Sequence, residues 1–179
     1  MTIAIRAART SDIPAITRIY AHSVTHGTAS FELEPPDETE MAHRMQQLLA
    51  DNFPYLVAEE TSTLCGYAYA GLYRARPAYR WTLEDSVYIS PSMQRRGIGR
   101  ALLATLIEGA EKLGFRQMIA VIGDSTRQAA SIGLHEALGF RRVGTLQDVG
   151  FKHGRWVDTL LMQRALGDGT TAQPQDLAG

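Results

Sequence analysis

The sequence is poor in cysteine, with one residue, Cys65, in 179. A single thiol cannot close an internal disulfide, so the fold must rest on its core and a reducing compartment, the cytoplasm, is expected. Long apolar runs are also missing: none approaches the roughly 20 residues that span a bilayer. The opening MTIAIRAART lacks the apolar centre of a signal peptide, so no membrane partner is expected. Neither sign of charge dominates, because 18 Lys and Arg offset 19 Asp and Glu to leave a net −1. Nothing global therefore recruits nucleic acid or an acidic membrane surface. Metal-ligand clusters are lacking too. His22 and His26 stand four apart, but no carboxylate or third ligand accompanies them, and HEAL is not H-E-x-x-H, so no metal is expected. Repeats and interdomain linkers are absent, and the length suits one domain, expected over 1–166. The tail at 167–179, GDGTTAQPQDLAG, has no periodicity and is expected to be disordered.

What is present is a globular balance of 45% hydrophobic and 21% charged residues. Ile3 and Ile5 alternate with small or polar neighbours as in a strand. Thr10 or Ser11 can cap the helix that carries Ile13, Ile16, Ile19, Tyr20 and Val24, with Asp12 at its positive end. Asp37 can cap a second helix with Met41, Met45, Leu48 and Leu49 on one face. YLVAEE, LCGYAYAGLY and WTLEDSVYIS then read as an antiparallel meander. A helix with Leu102, Leu103, Leu106 and Ile107 apolar ends at Gly114, and FRQMIAVIG is a strand expected to be buried on both faces. A helix from about Arg127 to Leu138, stopped by Gly139, precedes two strands around FRRVGTLQ and WVDTLLMQR. The order β, α, α, three strands, α, β, α, β, β predicts an α/β (α+β) domain, a mixed sheet with helices packed on it.

The stretch SVYISPSMQRRGIGRALL, from Ser86 to Leu103, is where chemistry is expected. A strand runs through Pro91 into QRRGIGR and then a helix, whose first N–H groups lack intrahelical partners and face outward at the positive end of the dipole. Gly97 and Gly99 let an anion approach the backbone, and a pyrophosphate fits that description. The stretch is neither a P-loop, lacking Lys before Ser or Thr, nor a G-x-G-x-x-G dinucleotide loop. Arginines gather here, at Arg95, Arg96 and Arg100, and in RARPAYRW, at Arg74, Arg76 and Arg80, as two places for small anions.

Q-R-R-G-I-G-R after a strand resembles motif A of the GNAT acyltransferases, and the element order resembles theirs from about Ile3 to Met162. RARPAYRWTLEDSVYISP, ASIGLHEALGF and GFKHGRW look like the phosphinothricin and methionine sulfoximine acetyltransferase branch. The resemblance implies the GNAT fold, with a mostly antiparallel central sheet flanked by helices. It also implies acetyl transfer from acetyl-CoA to the amine of a small amino-acid-like substrate by direct attack in a ternary complex. The CoA-binding positions it implies are Val87, Tyr88 and Ile89 on the strand, Gln94, Arg95, Arg96, Gly97, Ile98, Gly99 and Arg100 at the junction, and Gln128 and Ser131. At Gln128 this chain departs from the branch, which commonly carries Asn nearby. Glu84 is the implied base, acting directly or through water, and it is preferred to Asp85 because strand neighbours face opposite sides. His135 stands where many members carry the tyrosine that protonates the leaving thiolate, and it could serve as acid or second base. Phe31, Arg74, Arg76 and Tyr79 are the implied acceptor contacts, and a homodimer is implied. Acetylation of a peptide N-terminus or a polyamine, or a CoA-binding regulatory module without turnover, are the alternatives.

Overall fold

The computed structural model describes residues 3–174. Among them, seven strands form one sheet in the order β1 (Ala4–Ala7), β2 (Tyr55–Glu60), β3 (Thr63–Leu72), β4 (Thr82–Ile89), β5 (Gln117–Gly123), β7 (Arg155–Ala165) and β6 (Arg141–Lys152). Every neighbouring pair is antiparallel except β4 and β5, which are parallel. A parallel pair needs a crossover, and α3 (Ile98–Lys112) supplies it.

Period-two alternation divides the core between the two faces of the sheet. Toward α1 (Ile13–His26) and α2 (Glu38–Ala50) the strands send Tyr55, Val57 and Tyr67, packed with Ile16, Val24 and Met45. Toward α3 and α4 (Ala129–Ala137) they send Ala68, Leu83, Met118, Ala120 and Met162, packed with Leu102, Leu106 and Ile132. A fully buried leucine contributes about 1.5–3 kcal/mol. The α3 stripe of Leu102, Leu103 and Leu106, each fully buried, is therefore a main anchor for the helix that must present the junction.

Several local expectations are met. Asp37 caps α2, its carboxylate accepting the Glu40 N–H at 2.8 Å. Gly114 and Gly139 follow α3 and α4 with φ of 91° and 84°, the left-handed conformation that ends a helix.

Others are corrected. Neither Thr10 nor Ser11 caps α1, because Thr10–Asp12 form a 3₁₀ turn that runs straight into it. Asp12 instead reaches back to the Arg9 N–H at 2.8 Å and pairs with Arg6 at 2.7 Å, which holds its carboxyl below the ordinary range. Leu49 lies on the exposed side of α2. β5 buries Met118, Ala120 and Ile122 but only half-buries Gln117, Ile119 and Val121, so its two faces are unequal. α4 begins at Ala129, two residues later than expected, and β6 runs to Lys152, where His153 and Gly154, with φ of 51° and 73°, turn the chain into β7. Leu166, the last residue of the expected domain, is buried, and in the tail turns close by Gly169 N–H to Leu166 O at 2.8 Å and Thr171 N–H to Asp168 O at 2.9 Å. Arg116 holds Asp168 at 3.2 Å, so residues 167–174 follow the domain surface, while 175–179 lie outside the described residues.

Candidate active site

Parallel pairing of β4 with β5 runs from Thr82 opposite Gln117 to Asp85 opposite Ala120, and stops. Both strands continue, β4 to Ile89 and β5 to Gly123, so they splay apart and leave a slot. Beyond Asp85, the backbone groups of β4 that face β5 have no ladder partner, while its other edge stays paired to β3 through Ile89. Unpaired backbone groups facing a slot can pair with an amide-bearing guest. A cavity of ≈ 50 Å³ marks the slot, lined by Val87 and Tyr88 from β4, Val121 and Gly123 from β5, and Gln128 and His135 from α4 and its lead-in.

The slot leads to the junction. A 3₁₀ turn at Pro91–Met93 ends β4, Arg95 has φ 59°, and Gly97 caps α3 with φ 78°. A Cβ placed on Gly97 would meet nothing within 4 Å, so the start of α3 is open to an incoming group. Gly99 serves differently from the expected open approach: its Cβ would sit 3.3 Å from Leu134 Cδ2 and 3.9 Å from Ile89 Cγ1, so this glycine seats α3 against α4 and β4. Arg96 pairs with Glu60 at 2.8 Å, whereas Gln94, Arg95 and Arg100 are exposed beside the helix start. An unpaired strand edge running into an open, positively polarised helix start fits the amide arm and pyrophosphate of CoA.

Glu84 lies on the sheet face of α1 and α2. Burial, aided by the neighbouring Asp85 charge, pushes its carboxyl above the ordinary range, and Arg74 pulls it partly back. Arg74 is thus close enough to Glu84 to act on it from the loop after β3, with its guanidinium 5.0 Å from the ring centre of Tyr73. Tyr79 meets Tyr73 edge-on at 5.8 Å. The structure therefore gathers Arg74, Tyr73 and Tyr79 in one exposed cluster, and Arg76 heads the 3₁₀ turn that carries Tyr79. Tyr73 was missed because a tyrosine at a strand end carries no motif of its own.

Phe31, on the α1–α2 loop, is seated on two glycines at the end of β5 and in β6. A Cβ on Gly150 of β6 would overlap its ring, and one on Gly123 of β5 would meet its Cε2 at 2.6 Å and Thr28 O at 2.5 Å. Thr28 donates to Asp124 at 3.0 Å, Asp124 pairs with Arg155, and buried Lys152 donates to Ser30 O at 2.6 Å, so the loop is tied to β5, β6 and β7. Gln128 points its amide at Thr28 Oγ1, 3.4 Å away, and does not cap α4.

His135 lies on the other face of β4 from Glu84. Its Nδ1 is 2.7 Å from the Ser131 carbonyl and its Nε2 is 3.0 Å from Asp85 Oδ2, with Phe140 edge-on at 4.9 Å. Burial lowers the affinity of the ring for a second proton, but the bond and charge of Asp85 outweigh it, so the net shift is upward. β4 thus separates a desolvated carboxylate on one sheet face from a histidine–carboxylate pair that lines the slot on the other.

A family profile described as “Acetyltransferase (GNAT) domain” matches residues 5–161. Over 171 residues, 96% of this chain and 86% of the relative, the sequence is 56% identical to a phosphinothricin N-acetyltransferase of Alcaligenes faecalis. It is 40% identical over 166 residues to an L-methionine sulfoximine/L-methionine sulfone acetyltransferase of Salmonella typhimurium, covering 92% of this chain and 95% of that protein. A crystal structure of a GNAT superfamily phosphinothricin acetyltransferase from Sinorhizobium meliloti in complex with acetyl-CoA superposes with a TM-score of 0.94 at 48% identity, covering 98% of this chain and 95% of that one.

Proposed function

The chain belongs to the GNAT acetyltransferase family, and from that premise we propose that it transfers acetyl from acetyl-CoA to the amino group of phosphinothricin, methionine sulfoximine or a similar amino acid. The observation that carries the reading is the splay of β4 from β5 just past Asp85, running into the open left-handed turn at Gly97. Acetyl-CoA, when bound, supplies an acetyl group activated as a thioester. The β4 backbone through Val87, Tyr88 and Ile89 orients the pantetheine arm, the N–H groups at Gly97, Ile98 and Gly99 receive the pyrophosphate, and Gln94, Arg95 and Arg100 stand beside it. Arg96, although paired with Glu60, contributes its backbone N–H. Gln128 and Ser131 close the slot from α4.

Arg74, Arg76 and Tyr79 hold the anionic end of the acceptor, and Phe31 walls its pocket. Glu84 takes the proton that the acceptor ammonium must lose before its nitrogen can attack, directly or through one water. Its raised proton affinity, caused first by burial, suits a base that must bind a proton and release it again. His135 gives a proton to the departing sulfur.

A homodimer belongs to the same proposal. Val143, Leu146, Val149, Phe151 and Trp156, all on the β6–β7 hairpin, are each half-exposed or more, and β6 is the outer strand of the sheet. Phe151 and Trp156 meet at 5.3 Å between ring centres, and clustered exposed apolar side chains of this kind mark interaction surfaces. Gly150, beneath Phe31, lies next to Phe151, so a second copy docked here would adjoin the acceptor pocket. A cytoplasmic location is in keeping with the one buried free cysteine.

A thiol-release assay with acetyl-CoA and a panel of amines tests the activity. Turnover with phosphinothricin or methionine sulfoximine, and little with alkylamines, polyamines or a peptide N-terminus, is the expected outcome. Thiol release from none of them would overturn the proposal.

A further inference from the structure

We propose that Asp85 keeps His135 doubly protonated at neutral pH, so that the histidine enters each turnover already loaded as an acid. The inference rests on the reading that His135 serves the departing sulfur, and it assigns a positioning role to a carboxylate that sequence parity placed away from the base.

The argument starts from hydrogen counting. A carbonyl oxygen can only accept, so the 2.7 Å contact with Ser131 O requires a hydrogen on His135 Nδ1. The 3.0 Å contact between Nε2 and Asp85 Oδ2 requires a second hydrogen between those atoms. The pair therefore holds one proton more than a neutral imidazole beside a carboxylate. With that proton on nitrogen, both ring N–H groups donate and an ion pair forms between side chains 5% and 2% exposed, where water screens it little. Asp85 is the titratable group that faces the ring from β4. α4 contributes the Ser131 carbonyl, Phe140 its ring edge, and β5 only uncharged residues to the shared cavity. Glu84 is turned to the opposite face.

An unpaired histidine, with an ordinary value of about 6.5, is mostly neutral at physiological pH and so mostly empty as an acid. Asp85 reverses that. In the step assigned here the ring must first swing its Nε2–H from Asp85 Oδ2 to the departing sulfur; that N–H bond then breaks with its electron pair left on nitrogen, an S–H bond forms, and the amine proton rests on Glu84. Neutral imidazole beside a buried carboxylate is the disfavoured state, so the pair draws a proton back from solvent as Glu84 releases one, and the count closes. Asp85 Oδ1 is buried and without a hydrogen-bond partner among the described residues, leaving one acceptor on the pair uncommitted.

Nitrogen-15 NMR of the full-length protein without ligand reads the ring directly, with the signal assigned by its loss in His135→Gln. Native His135 should show both ring nitrogens protonated at neutral pH, and Asp85→Asn, which keeps size and can still hydrogen-bond, should show a neutral ring. A neutral His135 in the native protein overturns the proposal without touching the acetyltransferase reading. In kinetics, Asp85→Asn should lower kcat by about tenfold or more, the effect expected when the general acid is mostly in its deprotonated form. The KM values should barely change and the alkaline limb of the pH profile should move down in pH. A doubly protonated native ring combined with unchanged kcat and alkaline limb in Asp85→Asn would instead overturn the role of His135 as the acid.

Discussion

Glu84 and Asp85 are consecutive on β4 and face opposite sides of the sheet, Asp85 meeting His135 at 3.0 Å while Glu84 lies near Arg74 on the α1–α2 side. One strand thus carries a carboxylate desolvated by burial on one face and, on the other, a histidine–carboxylate pair that lines the slot. This division makes the two ends of the pH profile separable.

The acidic end belongs to Glu84. Because burial raises its carboxyl above the ordinary value of about 4.3, kcat/KM should rise with pH at a point above that value. Glu84→Gln should cost about 10²- to 10⁴-fold in rate and lose the acidic limb. The deficit should shrink at high pH, where the amine is neutral without help. A profile lowered equally at every pH would assign Glu84 to binding.

Gly150→Ala places a methyl group where the Phe31 ring now stands. Displacing that wall should raise the KM for the acceptor by about tenfold or more, in line with the sensitivity of catalysis to small misplacements. The KM for acetyl-CoA should stay put. Steady-state kinetics with each substrate varied in turn checks the split.

Arg76→Ala should raise the acceptor KM well above about tenfold, since a charge-assisted hydrogen bond to a carboxylate or phosphinate is worth roughly 1.5–3 kcal/mol. Loss of acetyl-CoA affinity instead, measured by calorimetry, would move this arginine to the other ligand.

Trp156→Asp puts a charge among the exposed apolar side chains of β6 and β7, beside Phe151. Light scattering should then give 19.7 kDa, where the native protein, if it dimerises as proposed, should give twice that mass. A native monomer at micromolar concentration would remove the dimer.

The raised proton affinity of His135 also sets a stability curve. Its folded value exceeds its unfolded one, so this contribution is full below about pH 6.5 and is lost as pH climbs through the folded value. Urea titrations across that range should show the loss in the native protein and a flatter curve in Asp85→Asn.

Much of this was legible in the chain. The meander, the Asp37 cap and the junction from Pro91 to Gly99 follow from local period and turn chemistry, and the opposition of Glu84 and Asp85 follows from strand parity. What parity could not say is which face α4 would cover, and hence that Asp85 would find His135, fifty residues on. Nothing in the sequence marks Gly150 and Gly123 as the seat of Phe31, which lies more than ninety residues earlier in the chain than either. At Gly99 the sequence could not say what the bare side meets, because a helix-start glycine has the same context whether that side faces open space or, as here, Leu134. The length of β6 escaped because its exposed, irregular face breaks the alternation by which strands are found.

The four-residue overlap between β4 and β5 makes this sheet two half-sheets sharing a short seam. Cooperativity must cross that seam, so it is the place where hydrogen exchange should be fastest among the strands that flank it. On the proposed reading, a cosubstrate lodged in the slot would lengthen the seam with its own amides and behave as a removable rung of the ladder. Substrate supply and mechanical integrity are then one variable: the melting temperature should climb with the logarithm of acetyl-CoA concentration once its Kd is passed, and an enzyme starved of acetyl donor is also the form most open to proteolysis.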